Sequence, residues 1–314
     1  MLPKGTFVPS LTFFDEEGNV DKQFTEKHMK WILDNGVSGL FVTGTYGSGY
    51  LMTPEQRVSV YETAKKVSES VPGSFVIAHV GSNDTCSSVY LTEAARDLGF
   101  HAVSAVNPYT FKYRDDELVG YYEDLVKAAG DMPVFAYNNP GLTSKAIDME
   151  LVKKFMAIGV RAMKDSSLNT ELAQSICDYS EENNIEFKYI SGSTSKWPEF
   201  RKLGIDTMIA GACNYAPELV SAMYALSLGT DEEKFLRAYE AVNALSNGIK
   251  IGNSLVSSHI ALASRGYNVP FMKKPLICPY DQYQDQMAKD RAMIDEATSV
   301  IRELVPGFCF KEMQ

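Results

Sequence analysis

The most regular feature of the chain is a short apolar run that follows a glycine. It occurs as Gly36-Val-Ser-Gly-Leu-Phe-Val, Gly99-Phe-His-Ala-Val-Ser-Ala, Gly159-Val-Arg-Ala-Met-Lys and Gly204-Ile-Asp-Thr-Met-Ile-Ala. Each glycine closes a stretch of helical periodicity, where a left-handed residue ends a helix at little cost. Each run is rich in Val, Ile, Leu, Met or Phe, as expected of a parallel strand buried on both faces. Four more short runs, Thr6–Pro9, Phe75–Val80, Pro133–Tyr137 and Phe187–Ser191, stand between or before these units. Helical periodicity covers Pro54–Ser70, Ser87–Leu98, Asp115–Ala129 and Thr170–Asn183. Thr53-Pro54-Glu55-Gln56 predicts a capped helix start, with Thr as N-cap, Pro in the first turn and Gln at the third position.

The count is eight strands alternating with helices within about 210 residues, which predicts an α/β fold of the (β/α)8 barrel type rather than a doubly wound sheet. No Gly-x-Gly-x-x-Gly opens the first helix, which argues against a dinucleotide-binding fold. Beyond about residue 220 the strand pattern stops, and Ser221–Leu228, Asp231–Ser246, Ser254–Ser264 and Tyr283–Val305 read as helices. Gly266-Tyr-Asn-Val-Pro270 and Lys274-Pro-Leu-Ile-Cys-Pro279 interrupt them. The expected organisation is a barrel over 1–225 and a helical C-terminal subdomain over 226–314, with no low-complexity linker between them.

Composition narrows the function. The 314 residues are 45% hydrophobic and 22% charged, ordinary values for a globular chain. Thirty basic against forty acidic residues leave a net charge of −10, which disfavours a nucleic-acid partner. No run of 18 apolar residues offers a membrane span, and the N-terminus has no apolar signal core, so a cytoplasmic protein is expected. Cys86, Cys177, Cys213, Cys278 and Cys309 are scattered, form no Cys-x-x-Cys, and are not paired with His28, His79, His101 or His259. Neither a metal site nor a disulfide framework is expected.

Barrel active sites lie at the C-terminal ends of strands, so the strand ends carry the chemistry. Aligning the four glycine-led units puts Phe41, Ser104, Lys164 and Ile209 at one offset. A lysine among apolar or small counterparts is expected to be desolvated, which lowers its pKa and frees an amine to attack a carbonyl. The alternative is a lysine paired with Asp165 or extended to the rim. The loop Gly44-Thr45-Tyr46-Gly47-Ser48-Gly49 can turn backbone N–H groups and hydroxyls toward a carboxylate, or be a plain turn. Tyr137, at the end of strand five, is either a core aromatic or a proton carrier.

Together these segments resemble the dihydrodipicolinate synthase/N-acetylneuraminate lyase superfamily of class I, pyruvate-handling aldolases, over essentially the whole chain. Gly44-Thr-Tyr-Gly is similar to its Gly-[Ser/Thr]-Thr-Gly loop, Tyr137-Asn-Asn-Pro to its Tyr-Asn-x-Pro motif, and Met163-Lys164-Asp to its Schiff-base lysine segment. Asn107-Pro108-Tyr109 resembles the segment that follows strand four. The resemblance implies that Lys164 forms the imine with pyruvate or another 2-oxo acid. It implies that Tyr137 relays protons, that Thr45 assists Tyr137, and that the loop amides around Thr45 and Tyr46 hold the carboxylate. No metal or organic cofactor is implied, because the imine is itself the electron sink. A homotetramer built as a dimer of dimers is implied, with Tyr109-Thr-Phe-Lys-Tyr113 at the tight interface.

Departures from the family pattern bear on the substrate. Tyr46 replaces the second hydroxyl of the loop motif, and Ser48 the acidic residue after it. Leu142 stands where the synthases carry an arginine for the semialdehyde carboxylate, which fits the lyase and sugar-acid branch. After Gly192 and Ser193, Thr194 and Ser195 replace the acidic pair of the sialic acid lyases. Thr110 replaces the tyrosine lent across the interface, leaving water, Tyr109 or Tyr46 as the proton exit. The reading is a pyruvate-dependent carbon–carbon lyase whose other partner is an aldehyde. The substrate class is a 2-keto-3-deoxy sugar acid or a 4-hydroxy-2-oxo acid. The alternatives are a Schiff-base dehydratase and a catalytically weak keto-acid binder.

Overall fold

Gly36, Gly99, Gly159 and Gly204 all adopt positive φ, between 73° and 98°, and each lies between the end of a helix and the start of a strand. That conformation is nearly free of strain for glycine alone. The computed structural model describes residues 2–314. Its strands are β1 (Gly5–Pro9), β2 (Gly39–Val42), β3 (Phe75–His79), β4 (Ala102–Val106), β5 (Val134–Asn138), β6 (Ala162–Asp165), β7 (Lys188–Ser191) and β8 (Thr207–Ile209). They close in chain order into an eight-stranded barrel. The alternating helices are α1 (Lys22–Asp34), α2 (Pro54–Glu69), α3 (Thr85–Asp97), α4 (Asp115–Ala129), α5 (Met149–Ala157), α6 (Thr170–Glu182) and α7 (Trp197–Lys202). A helical C-terminal extension follows as α8 (Pro217–Ser227), α9 (Glu232–Gly248), α10 (Ser254–Ser264) and α11 (Gln284–Leu304).

The start of α2 carries the full capping box predicted from Thr53 and Gln56. Helix α8 begins four residues earlier than the apolar periodicity suggests, because Pro217 in its first turn has no N–H to leave unpaired. Among the described residues, no helix is long and apolar enough to cross a membrane.

The chain divides into two compact units. One holds Phe75–Ile209 with the N-terminal residues as far as Lys4. Here β3 to β8 pair in parallel, with Ile77 opposite Ala102, Tyr137 opposite Lys164, and Lys164 opposite Ile190. Lys188 Nζ and Thr207 Oγ1 both donate to the Pro3 carbonyl, at 2.6 and 2.9 Å, which anchors the N-terminus.

The other unit holds Gly5–Ser74 and Ala210–Gln314. Its knot is Asn214, whose side chain accepts from Leu11 N at 3.0 Å and donates to the carbonyls of Pro9 and Gly211, each at 3.1 Å. Arg265 forms a buried ion pair with Glu218 at 2.6 Å and donates to the Tyr215 carbonyl. Its guanidinium lies over the rings of Trp31 and Phe310, at 5.1 and 5.3 Å. Asn35 and Trp31 bind the backbone of Lys311, so α1 holds the C-terminal tail.

Candidate active site

Lys164 and Tyr137 face each other as register partners at the C-terminal ends of β6 and β5. The lysine ammonium stands 3.8 Å from the centre of the tyrosine ring. Lys164 is 4% exposed, and its counterparts Phe41, Ser104 and Ile209 are also buried, so the shared offset is an interior position. Burial pulls the Lys164 pKa down; the neighbouring Tyr137 phenol and its hydrogen bond oppose that pull. The side chain of Asp165 is occupied elsewhere. It accepts from Asn138 Nδ2 at 2.8 Å, Ser167 N at 2.9 Å, Ser167 Oγ at 2.7 Å and Tyr189 Oη at 2.8 Å. Successive strand residues point to opposite faces, so this cluster braces β5, β6 and β7 on the face away from Lys164.

Tyr137 is fixed by further neighbours that no sequence motif marks. The His79 ring meets it edge-on, with centroids 5.9 Å apart and planes at 87°. His79 Nε2 accepts from Val106 N at 3.2 Å, which places the imidazole proton on Nδ1. Asn139 Nδ2 donates to the Tyr137 phenol oxygen at 3.0 Å.

The other predicted residues of this unit lie on strand-end loops. A side chain at Gly192 would strike the Asp165 carbonyl at 2.6 Å, and Gly192 N donates to that same oxygen at 2.8 Å. Ser193 accepts from Ser195 N through its hydroxyl. The Thr194 hydroxyl is buried without a hydrogen-bond partner among the described residues. Leu142, 39% exposed, sits in the turn after β5. The backbone N–H groups of Tyr109 and Thr110 both donate to Asn83 Oδ1, at 3.0 and 3.1 Å.

Thr45 and Tyr46 belong to the other unit, on the loop after β2, and both are partly exposed. This loop is tightly wound. Thr43 and Ser48 both take φ of 56°, a costly conformation for the β-branched Thr43. Gly47 passes so close to Thr43 that a side chain would lie 2.9 Å from its nitrogen. Gly44 lies against the Phe41 ring in the same way, at 2.6 Å. The Tyr46 ring rests on Gly211, where an added Cβ would come within 2.6 Å of Cζ. Burial pushes the Tyr215 phenol well above the ordinary tyrosine range, and the neighbouring Tyr46 phenol adds to this.

Among the described residues, no three His, Cys, Asp or Glu side chains gather in a way that could hold a metal ion.

Comparison with known proteins agrees with the barrel fold. A 4-hydroxy-tetrahydrodipicolinate synthase of Bartonella bacilliformis is 27% identical over 277 residues, covering 87% of this chain and 92% of that one. The sialic acid aldolase of Ruminococcus gnavus superposes with a TM-score of 0.85 at 24% identity, over 94% of this chain and 98% of the other. A variant of 2-keto-3-deoxygluconate aldolase from Sulfolobus solfataricus superposes with a TM-score of 0.84 at 23% identity, over 97% and 100%. At these identities the two superpositions speak for the fold. The family itself is set by the sequence pattern, which matches over residues 2–293: the chain belongs to the Dihydrodipicolinate synthetase family.

Proposed function

We propose that this protein is a class I lyase that forms a Schiff base between Lys164 and a 2-oxo acid and releases pyruvate. The observation that carries the reading is the buried Lys164 amine against the Tyr137 ring. The amine attacks the C2 carbonyl, and the carbinolamine takes the proton of the Tyr137 phenol and loses water, which leaves a protonated imine and a Tyr137 phenolate. The C3–C4 bond then breaks, and its electron pair moves into the imine to give an enamine. The proton of the C4 hydroxyl passes to Tyr137, and the C4 carbon leaves as an aldehyde. Protonation at C3 and hydrolysis return pyruvate and free Lys164. Carriage of that proton by Tyr137 is worth about 10²–10⁴-fold in rate.

In the same reading Thr45 assists Tyr137, and the loop around Thr45 and Tyr46 holds the 2-oxo acid carboxylate. Leu142, Gly192, Ser193 and Thr194 shape the remainder of the pocket. The exposed apolar side chain of Leu142, which has no charge to pair with a carboxylate, supports a neutral, hydroxylated partner over aspartate semialdehyde. The substrate class is a 2-keto-3-deoxy sugar acid or a 4-hydroxy-2-oxo acid. Assembly as a homotetramer belongs to this reading and is supported by Phe111, 68% exposed within Tyr109–Tyr113.

The test is reduction of the protein with borohydride in the presence of pyruvate. One covalent adduct is expected, on Lys164, and none on Lys164→Ala. An adduct formed equally well on Lys164→Ala refutes the assignment.

A further inference from the structure

We infer that Asn139 is a positioning residue for Tyr137: its side-chain amide holds the phenol oxygen and favours negative charge there while Tyr137 moves a proton. The inference rests on the lyase reading above and adds a residue to it.

The amide comes from a rigid turn. The Asn139 carbonyl accepts from Leu142 N at 2.9 Å, Thr143 N at 3.2 Å and Thr143 Oγ1 at 3.3 Å. Its Oδ1 lies on the Gly141 side, where an added Cβ would be 3.5 Å away, and its Nδ2 reaches the phenol oxygen at 3.0 Å. The Tyr137 ring cannot drift from this donor, because His79 closes on it edge-on and Lys164 lies 3.8 Å from its centre.

The chemistry follows from the donor type. A carboxamide N–H neither gives up nor takes a proton near neutral pH, so Asn139 ends a relay and cannot extend one. A hydrogen bond donated to a phenol oxygen favours its ionised form over its neutral form. Titratable groups that face Tyr137 within its unit include the Lys164 amine from β6 and His79 from β3, whose Nε2 is an acceptor. Asp165, on the neighbouring strand, is satisfied by Asn138, Ser167 and Tyr189. The amide is set to balance charge on the Tyr137 oxygen that it meets at 3.0 Å.

The probe is pyruvate itself, through exchange of its methyl protons for deuterium in heavy water, followed across pH by NMR. Trapping of pyruvate on Lys164 is run beside it. Asn139→Ala is expected to slow saturated exchange by about ten- to hundredfold, the worth of a hydrogen bond to a charged group, with the KM for pyruvate within about twofold. The acid-side midpoint of its pH profile is expected to rise by about one unit. Asn139→Asp is expected to fall further at neutral pH, because it sets a carboxylate against the phenol. In a Tyr137→Phe background, Asn139→Ala is expected to change nothing more. Unmoved pH profiles, or an Asn139→Asp protein as fast as wild type, overturn the role of Asn139 and leave trapping on Lys164 intact. Wild-type protein that neither traps nor exchanges pyruvate overturns the lyase reading and this inference with it.

Discussion

Lys164 and Tyr137 are direct neighbours across β6 and β5, and the ammonium lies 3.8 Å from the centre of the phenol ring. The arrangement is costly. Lys164 is 4% exposed, so its amine is largely desolvated, and the ring and phenol of Tyr137 are among the groups that face it. The lysine therefore sits where an apolar side chain would stabilise the barrel more.

That cost gives the first prediction. Lys164→Met is expected to abolish pyruvate trapping and to raise stability at pH 7 by about 1–3 kcal/mol, since well-packed apolar groups commonly outdo buried charges. The pH dependence has a fixed sign. Burial holds the Lys164 pKa below its unfolded value, so between the two the unfolded chain binds more protons and wild-type stability rises with pH. The advantage of the variant should shrink as pH climbs toward about 10.4. Urea denaturation of both proteins from pH 6 to 10 measures it, and a gap that widens with pH contradicts the account.

Much of this arrangement was legible in the sequence. The glycine-led runs announced four strands because chain reversal after a helix and burial on both faces each leave a local signature. The same alignment singled out Lys164, since one charged residue broke an otherwise apolar or small offset. The partners of Tyr137 were not legible. His79 lies 58 positions before it, and only the barrel register brings them together. Asn139 occupies the variable position of its motif, and nothing in the spacing says that its amide turns back onto the phenol. Asp165 reads as the natural ion-pair partner of Lys164. Strand alternation sends it to the opposite face, where Asn138, Ser167 and Tyr189 satisfy it.

The Asp165 cluster carries a second prediction. In Asp165→Asn the remaining oxygen can keep the two amide donors of Asn138 and Ser167 that share Oδ1, while the hydroxyls of Ser167 and Tyr189, which meet on Oδ2, face an NH2 group and lose their acceptor. The expected loss is about 2–4 kcal/mol. Tyr189→Phe removes one donor from a carboxylate that keeps three, and should cost about 1–2 kcal/mol. Urea midpoints of the two variants decide the matter; equal losses would mean that Tyr189 alone holds the cluster.

Acid sensitivity is predicted from the other unit. Burial lowers His28 to about 4 and His259 to about 3, and the charge of His28 adds to the lowering at His259. His28 Nε2 lies 2.8 Å from the Asn214 carbonyl and so donates to it, while its buried Nδ1 has no partner among the described residues. Both rings are neutral in the folded state at pH 6, whereas the unfolded chain begins to protonate them near 6.5. Stability should be fully present above that value. It should fall between pH 6.5 and 4 by about 1.4 kcal/mol per unit for each ring. Replacing His259 by Phe, beside Phe13, removes one titrating group and should roughly halve that slope in chemical denaturation. A slope left unchanged would show that other groups govern the acid limb.

The last prediction concerns Gly211 and Tyr46. An added Cβ at Gly211 would lie 2.6 Å from Tyr46 Cζ and 3.0 Å from Cε1, inside van der Waals contact. The obstacle is the far end of a side chain, so Gly211→Ala should fold, displace the phenol and cost about 1–3 kcal/mol of overpacking. Tyr46→Ala removes the obstacle, and in that background Gly211→Ala should cost little. The four proteins form a double-mutant cycle whose coupling is expected to be about 1 kcal/mol or more, because the two residues are in contact. Denaturation of all four gives the stability arm. Pyruvate trapping gives the functional arm, and is expected to survive in each variant if Tyr46 shapes the pocket for the aldehyde half rather than for pyruvate. Additive stabilities would show that the phenol already moves freely off Gly211. Loss of trapping in Tyr46→Ala would show that the phenol side chain, and not only the loop backbone, takes part in pyruvate binding.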